Sequence, residues 1–301
     1  MRVGVTGASG LIGSALVEAL EESGDVVVRF VRPDSRKVDT DVIRWDPSQG
    51  LVDEDDVRKN GGFDAVVNLA GVGIADRGWS TQQKEAIRGS RVHATSLLVR
   101  ILSASSGTTF LASGSAIGIY GSRGDETLEE TSRLGDDFLA QVCIEWETTA
   151  DALALAGSSV AHLRTGIVMS RAGGALRKQL PLFRLGIGGP LGNGQQWLSP
   201  ISLRDEVRAI LWLLQTRPSG PFNLVAPCAL TNREFAVALG RRLHRPSRVR
   251  VPSAAVRTAI GPELADATAL ASQRVEPSAL LASGFSFESP DIGSIISSAL
   301  A

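Results

Sequence analysis

The chain has 301 residues, 43% of them hydrophobic, enough to bury a substantial core in one large domain or two closely packed ones. Its 31 basic and 32 acidic residues leave a formal net charge of −1, whereas a protein that tracks a phosphate backbone needs a basic excess, so no nucleic-acid partner is expected. Two distant cysteines (Cys143, Cys228) and three scattered histidines (His93, His162, His244) form neither a disulfide framework nor a metal-ligand cluster.

In chain order, Arg2–Val5 alternates apolar residues as a strand does, and Gly7–Gly13 is a glycine-rich turn. Ala15, Leu16, Ala19 and Leu20 then recur at helical spacing until Ser23-Gly24 stops the helix. Val26–Val31 is β-branched and apolar, as a strand buried on both faces would be. Ala65–Leu69 and Thr109–Ala112 are further buried-strand candidates, and His162-Leu163-Arg164 closes another. Helices are predicted over Thr81–Leu102 and Asp136–Leu155. After Thr165 the texture changes: Gly186–Gly194 reads as a long loop, and Ser202-Leu203-Arg204-Asp205 resembles a capping box opening a helix through Leu214. Phe222–Val225 reads as a late strand, and Thr231-Asn232-Arg233-Glu234 as a second capping box.

Alternating strand and helix predicts an α/β fold, a Rossmann-type doubly wound parallel sheet with a smaller, mixed C-terminal substrate or cap domain packed on it. Residues 1–165 are assigned to the dinucleotide-binding domain, with 198–226 returning to it, and 166–197 plus 227–301 to the cap. Met1-Arg2-Val3 enters the first strand with no signal-peptide layout, and no apolar run is long enough to span a bilayer. A soluble cytoplasmic protein is expected, monomeric or homodimeric, with a small-molecule substrate and no membrane partner.

The turn Thr6-Gly7-Ala8-Ser9-Gly10-Leu11-Ile12-Gly13 lies between a strand and a helix. Its glycines suit a tight turn, a close approach to pyrophosphate and close packing of helix on strand, and the helix start offers free N–H groups to phosphate. Gly7, Ser9, Gly10, Leu11, Ile12 and Gly13 are therefore assigned to a dinucleotide. At the tip of the second strand stands Arg32, where an acidic residue would select NAD(H) and an arginine pairs with the 2′-phosphate of NADP(H). NADP(H) is expected over NAD(H), although Asp34 follows two positions later.

As a set, these motifs resemble the extended short-chain dehydrogenase/reductase superfamily. Gly7-x-x-Gly10-x-x-Gly13 is similar to its cofactor loop, Asn68-Leu69-Ala70-Gly71 to its Asn-x-Ala-Gly segment beside the cofactor, which implies that Leu69, Ala70 and Gly71 bind it, and Ser113-Gly114-Ser115-Ala116 with Tyr120-Gly121 to a stretch of the sugar-nucleotide epimerases. The closer resemblance is to an atypical branch, the epimerase-like proteins with a C-terminal domain of unknown function. It is carried by Gly78-Trp79, Ser90-Arg91-Val92, Trp146-Glu147, Arg164-Thr165-Gly166, Gly173-Gly174-Ala175-Leu176, Gly188-Gly189 to Trp197, Gln273-Arg274-Val275 and Gly284-Phe285.

The superfamily exchanges protons through Tyr-x-x-x-Lys with an upstream Ser or Thr. This chain has one tyrosine, Tyr120, and Gly124 stands where the lysine would follow it. With Glu147 aligned to the glutamate that often follows the motif, Leu139 and Cys143 occupy the Tyr and Lys positions. Pro200-Ile201-Ser202 likewise stands where similar proteins carry a histidine. Ser115 and Tyr120 remain as catalytic candidates, each with a structural alternative: Ser115 satisfying backbone at a strand end, Tyr120 packing at a pocket rim. Gly188–Trp197 is a substrate loop or a connector, and Arg241, Arg242, Arg245, Arg248 and Arg250 form a solvated face or a site for an anionic substrate or partner. Two functions fit: an NADP(H)-dependent oxidoreductase or epimerase-like enzyme on a small carbonyl, hydroxyl or nucleotide-sugar compound, and a non-catalytic NADP(H) sensor or scaffold.

Overall fold

The computed structural model describes residues 1–35, 41–104 and 109–301. Its centre is a sheet of eight strands: β1 (Arg2–Thr6), β2 (Val26–Val31), β3 (Val42–Asp46), β4 (Leu51–Val52), β5 (Ala65–Asn68), β6 (Phe110–Ala116), β7 (Val160–Thr165) and β8 (Gly220–Leu224). The order across the sheet is β8-β7-β6-β5-β1-β2-β3-β4. All neighbours run parallel except β3 and β4. The order reverses between β1 and β5, with Thr6 beside Asn68 at their ends, and such a switch point leaves a crevice outside the carboxyl ends of the strands.

Eleven helices surround the sheet among the described residues: α1 (Leu11–Glu22), α2 (Glu54–Asn60), α3 (Thr81–Ser103), α4 (Phe138–Leu155), α5 (Gly174–Arg184), α6 (Leu203–Thr216), α7 (Asn232–Arg242), α8 (Ser253–Ile260), α9 (Pro262–Ala267), α10 (Ser278–Ala282) and α11 (Ile292–Leu300). Strand alternation decides which helix covers which face. Val3 and Val5 of β1 join Val67 and Leu163 beneath Leu16 and Leu20 of α1 and Ile210 and Leu213 of α6. Val28, Val66 and Leu111 face the other way, under Leu98 and Ile101 of α3 and Leu153 of α4. Each of these leucines is close-packed, and truncation of any one to alanine removes roughly 2–5 kcal/mol.

Helix starts follow local chemistry. Ser80 accepts from the Gln83 amide at α3, Asp137 from Ala140 at α4, and Ser202 from Asp205 at α6. Thr231 and Glu234 cap each other reciprocally at α7. The strand pair Val42–Asp46 and Leu51–Val52 extends the sheet beyond the elements read from sequence, and β6 continues to Ala116 rather than stopping at Ala112. The small polar run Ser113-Gly114-Ser115 carries no apolar alternation, and parallel pairing with His162, Leu163 and Arg164 of β7 holds it extended instead.

The C-terminal part packs α5, α7 and α11 around Leu176, Phe183, Phe235, Leu239 and Ile296. Asp205, fully buried at the start of α6, ties that part to the sheet by accepting from the Glu288 and Ser289 amides at 2.9 and 2.8 Å. Its neighbour Glu206 is equally buried but receives one hydrogen bond, from Thr165 Oγ1 at 2.8 Å, and its Oε2 has none. Burial pushes the Glu206 carboxyl up to about 8.

Because the folded pKa of Glu206 lies above its unfolded value, the folded state binds more protons between about 4.5 and about 8. The stability from this group is therefore complete below that window and lost as pH rises through it. Urea midpoints are expected to fall from pH 5 to pH 8 more steeply in the parent than in Glu206→Gln, which keeps the shape without the charge. Parallel pH profiles for the two proteins would show that Glu206 stays ionised.

Candidate cofactor and active site

The loop between β1 and α1 is shaped by what its glycines leave out. Gly7 has φ +64°, a left-handed conformation, and a Cβ there would sit 2.5 Å from the Leu69 carbonyl oxygen. A Cβ on Gly13 would sit 2.2 Å from the Gly7 carbonyl oxygen, so only glycine lets α1 close onto the turn. The Gly10 amide donates back to that same carbonyl at 2.9 Å. Gly10 caps α1 without a side-chain hydrogen bond, and the first turn holds no acidic residue. The first-turn amides and the positive end of the helix dipole are thus left for an anion. Ser9 and Gly10 are exposed at the mouth of the loop.

Thr6 and Asn68 brace the facing wall. Thr6 Oγ1 donates to Asn68 Oδ1 at 2.8 Å and accepts from the Leu69 and Ala70 amides at 3.0 Å each. Asn68 Nδ2 in turn donates to Thr95 Oγ1 at 2.9 Å. The Leu69 and Ala70 N–H groups are spent on Thr6, so this segment presents side chains and carbonyls to a ligand. Arg32 lies exposed beyond the end of β2, at the same edge of the sheet as the loop.

The structure adds a residue that the sequence marked only as part of a motif. Arg91 Nη1 donates to the Val72 and Ile87 carbonyls at 3.1 and 2.9 Å, and its guanidinium stacks 5.2 Å from the Trp146 ring. A Cβ on exposed Gly71 would meet that guanidinium at 3.1 Å, which places the cation against the backbone of the cleft wall. No carboxylate pairs with it among the described residues. Burial pulls its pKa down, and Cys143, at the position aligned with the superfamily's lysine, faces it. Sequence spacing alone does not distinguish this arginine from a solvated one, because its partners come from separate segments.

Ser115 and Tyr120 both fall into one buried hydrogen-bonded network. Ser115 Oγ donates to Glu147 Oε1 at 2.7 Å. Arg164 clasps the same carboxylate through Nε and Nη2, each at 2.9 Å, and donates through Nη1 to Tyr120 Oη and the Glu130 carbonyl at 3.0 Å. Tyr120 Oη donates to Asn223 Oδ1 at 2.7 Å, and the side chain is fully buried. Burial raises the Tyr120 pKa against the pull of Arg164. Burial also works on Glu147 in the upward direction, but the hydrogen bonds and charge of Arg164 outweigh it and hold the carboxyl below its usual value. At the Tyr and Lys positions, Leu139 and Cys143 are both buried, and burial pushes the Cys143 thiol up to about 11.

The C-terminal part approaches the cleft from above. Gly173 lies against Leu11, with 3.2 Å from its Cβ position to the leucine side chain, so α5 starts beside the first turn of α1. Lys178 of α5 donates to the Ala75 carbonyl at 2.8 Å across the cleft. The segment Gly188–Trp197 folds against the loop that follows Tyr120: Trp197 Nε1 donates to Asp125 at 2.8 Å, and Arg274 stacks on the indole at 4.5 Å. Beside that segment, apart from the glycine-rich turn, lies a cavity of about 460 Å³ lined by Gly124, Asp125, Asn193, Gln195, Ser253 and Arg257; none of Gly7–Gly13, Arg91, Ser115 or Tyr120 lines it.

Residues 3–224 match the model of the NAD dependent epimerase/dehydratase family, and residues 251–299 that of a domain of unknown function, DUF1731. An epimerase family protein of Mycobacterium bovis is 43% identical over 97% of this chain and 95% of its own. The chloroplastic SDR39U1 homologue of Arabidopsis thaliana is 37% identical over 96% of this chain and 83% of its own. The crystal structure of human epimerase family protein SDR39U1 with NADPH superposes with a TM-score of 0.87 at 31% identity, covering 100% of this chain and 99% of that one. A UDP-N-acetylglucosamine 4-epimerase of Bacillus cereus shares the fold, at 17% identity and a TM-score of 0.74. With the glycine loop, the switch-point cleft and the C-terminal domain all in place, the chain belongs to the NAD-dependent epimerase/dehydratase family, among its SDR39U1-like members.

Proposed function

We propose that the protein is an NADP(H)-dependent oxidoreductase acting on a small carbonyl or hydroxyl compound, with no Tyr-x-x-x-Lys relay. The observation that carries this reading is the cradle itself: Gly13 against the Gly7 carbonyl, beneath an uncapped helix start with no acid in its first turn. That cradle fits a pyrophosphate, and the NADPH bound by human SDR39U1 agrees with it. Leu11, Ile12 and Gly13 would hold the pyrophosphate through their amides. Arg32 would pair with the 2′-phosphate, and Leu69, Ala70 and Gly71 would line the ribose side. Arg91 supplies a fixed cation on the same wall. NADPH, when bound, supplies a hydride for transfer to a carbonyl carbon.

The protein's own contribution is then position and charge. Arg91 is held by two backbone carbonyls and an aromatic face, so its orientation is set before any ligand arrives. Ser115 stays at the end of β6 with its proton on Glu147, and Tyr120 keeps its proton on Asn223. In this arrangement both brace the site, and the proton of the reaction comes from water or from the substrate. The commitment of Ser115 and Tyr120 to the network also favours a second reading, a cofactor-binding sensor without turnover. A panel of carbonyl and sugar-nucleotide compounds followed by NADPH absorbance separates the two, since tight binding with no turnover across the panel would leave only the sensor.

Calorimetry is expected to show NADPH binding at least about tenfold tighter than NADH, the size of one charge-assisted contact. Arg32→Ala should erase that preference while leaving NADH affinity nearly unchanged; equal affinities in the parent would remove the role assigned to Arg32. Gly13→Val should abolish binding of both cofactors without unfolding the sheet, and retained binding would mean that the loop is misassigned. Arg91→Leu should weaken both cofactors by about tenfold or more and leave their ratio intact. Parent-like affinities in that variant would take Arg91 out of the site.

A further inference from the structure

Charge is distributed very unevenly along this near-neutral chain. Residues 166–262 carry fourteen basic side chains and three acidic ones, in a protein whose net charge is −1. The three acids add little negative surface. Asp205 and Glu206 are fully buried, and Glu234 is folded into the capping box of α7. Six of the fourteen basic side chains gather where α5 ends. Arg245 Nε donates to the Arg184 carbonyl at 2.9 Å, and Gly186 packs within 3.4 Å of Pro246 measured from its Cβ position. The segment 244–250 therefore lies along the end of α5 and the residues after it. Arg184, Arg241, Arg242, Arg245, Arg248 and Arg250 are all exposed here, and no carboxylate pairs with any of them among the described residues.

The same face exposes large aliphatic side chains. Leu182, Leu185, Ile187 and Val249 are 46, 73, 52 and 53% exposed, four of the eleven large apolar residues exposed among the described residues. Leu185 and Ile187 project from the helix end beside Arg184, and Val249 stands between Arg248 and Arg250. A single exposed leucine needs no explanation, but aliphatic tips set on one face among arginines without carboxylate partners, two of them held only by backbone carbonyls, do. Two occupants fit poorly. A second copy meeting this face across a two-fold axis would place arginine against arginine. A protein partner would be expected to find an aromatic or methionine anchor, and none is exposed on this face.

We propose that this face docks on the surface of an anionic phospholipid bilayer. Leu182, Leu185, Ile187 and Val249 enter the boundary between headgroups and acyl chains, and the surrounding guanidinium groups pair with lipid phosphates. No helix of the described residues is long and apolar enough to cross a membrane, and this contact needs none. The docking face departs from the sequence expectation of no membrane partner, because it is assembled from two surface segments that no single stretch of sequence displays. Because α5 begins beside α1 and ends in this face, a docked molecule holds its cofactor cleft at a set distance from the lipid surface.

The test is cosedimentation of the full chain with vesicles of phosphatidylcholine alone and of phosphatidylcholine mixed equally with phosphatidylglycerol. Binding is expected only to the mixed vesicles, falling as salt is raised. The double variant R245E/R248E should weaken it by about fivefold or more per charge. L185S/I187S should weaken it by about tenfold or more even at low salt. Both variants change exposed residues away from the cleft, so their NADPH affinity and thermal unfolding should match the parent and show that they are folded. No binding to mixed vesicles, equal binding to both vesicle types, or parent-like binding by both variants would overturn the proposal. Binding of poly-glutamate without binding to vesicles would assign the face to an acidic protein and overturn it as well.

Discussion

The bidentate contact between Arg164 and Glu147 is the interaction on which the interior of the site depends. It joins β7 to α4 behind the carboxyl edge of the sheet, with both side chains nearly sealed from solvent. Ser115, Tyr120 and the Glu130 carbonyl all take their geometry from one of its two members. A buried pair of this kind contributes little relative to a well-packed apolar replacement, yet losing one partner alone costs about 3–5 kcal/mol. The pair therefore acts as a constraint, locking five segments of chain into one arrangement. That lock is also why the only tyrosine of the chain sits deep in the structure with its proton committed.

The family's usual chemistry needs a phenol whose proton can leave and a cation that helps it leave. The positions aligned with the Tyr and Lys hold Leu139 and Cys143, two buried groups with no charge to offer. A cation stands nearby on α3 instead, where Arg91 is fixed by carbonyls and an indole rather than a carboxylate. A guanidinium held in that way keeps its charge unneutralised and its orientation set, the conditions under which electrostatic stabilisation acts without reorganisation. The cofactor half of the site is conventional, whereas the half that would act on a substrate is not.

Helix α5 runs from the glycine-rich turn to the arginine-rich face. Its N-terminus leans on Leu11 at the phosphate loop, its middle reaches across the cleft through Lys178, and its C-terminus opens into the arginine-rich face. One helix therefore touches both the glycine-rich turn and the arginine-rich face. The reading of the arginines as a solvated face and the reading as a partner site differ only in what lies next to them. The structure puts Leu185, Ile187 and Val249 there, from segments far apart in sequence.

Local sequence alone determined the parts of this protein that depend on one stretch of chain. The β1–turn–α1 unit, the apolar strands β2 and β5, and the capped starts of α6 and α7 were all legible because spacing, glycine and capping residues act over a few positions. Gly7 and Gly13 could be placed in a tight turn under a helix start for the same reason. What only the tertiary structure decided are contacts between distant segments. The partners of Ser115 and Tyr120, the place of Arg91 beside Gly71 and Trp146, and the strand pair β3–β4 carry no local signature. A side chain's role in a site is set by what folding brings against it, and neither periodicity nor spacing encodes that neighbour. The strand–turn–helix unit around residues 7–13 could thus be read locally, while the fate of the lone tyrosine had to wait for Arg164 and Asn223 to close around it.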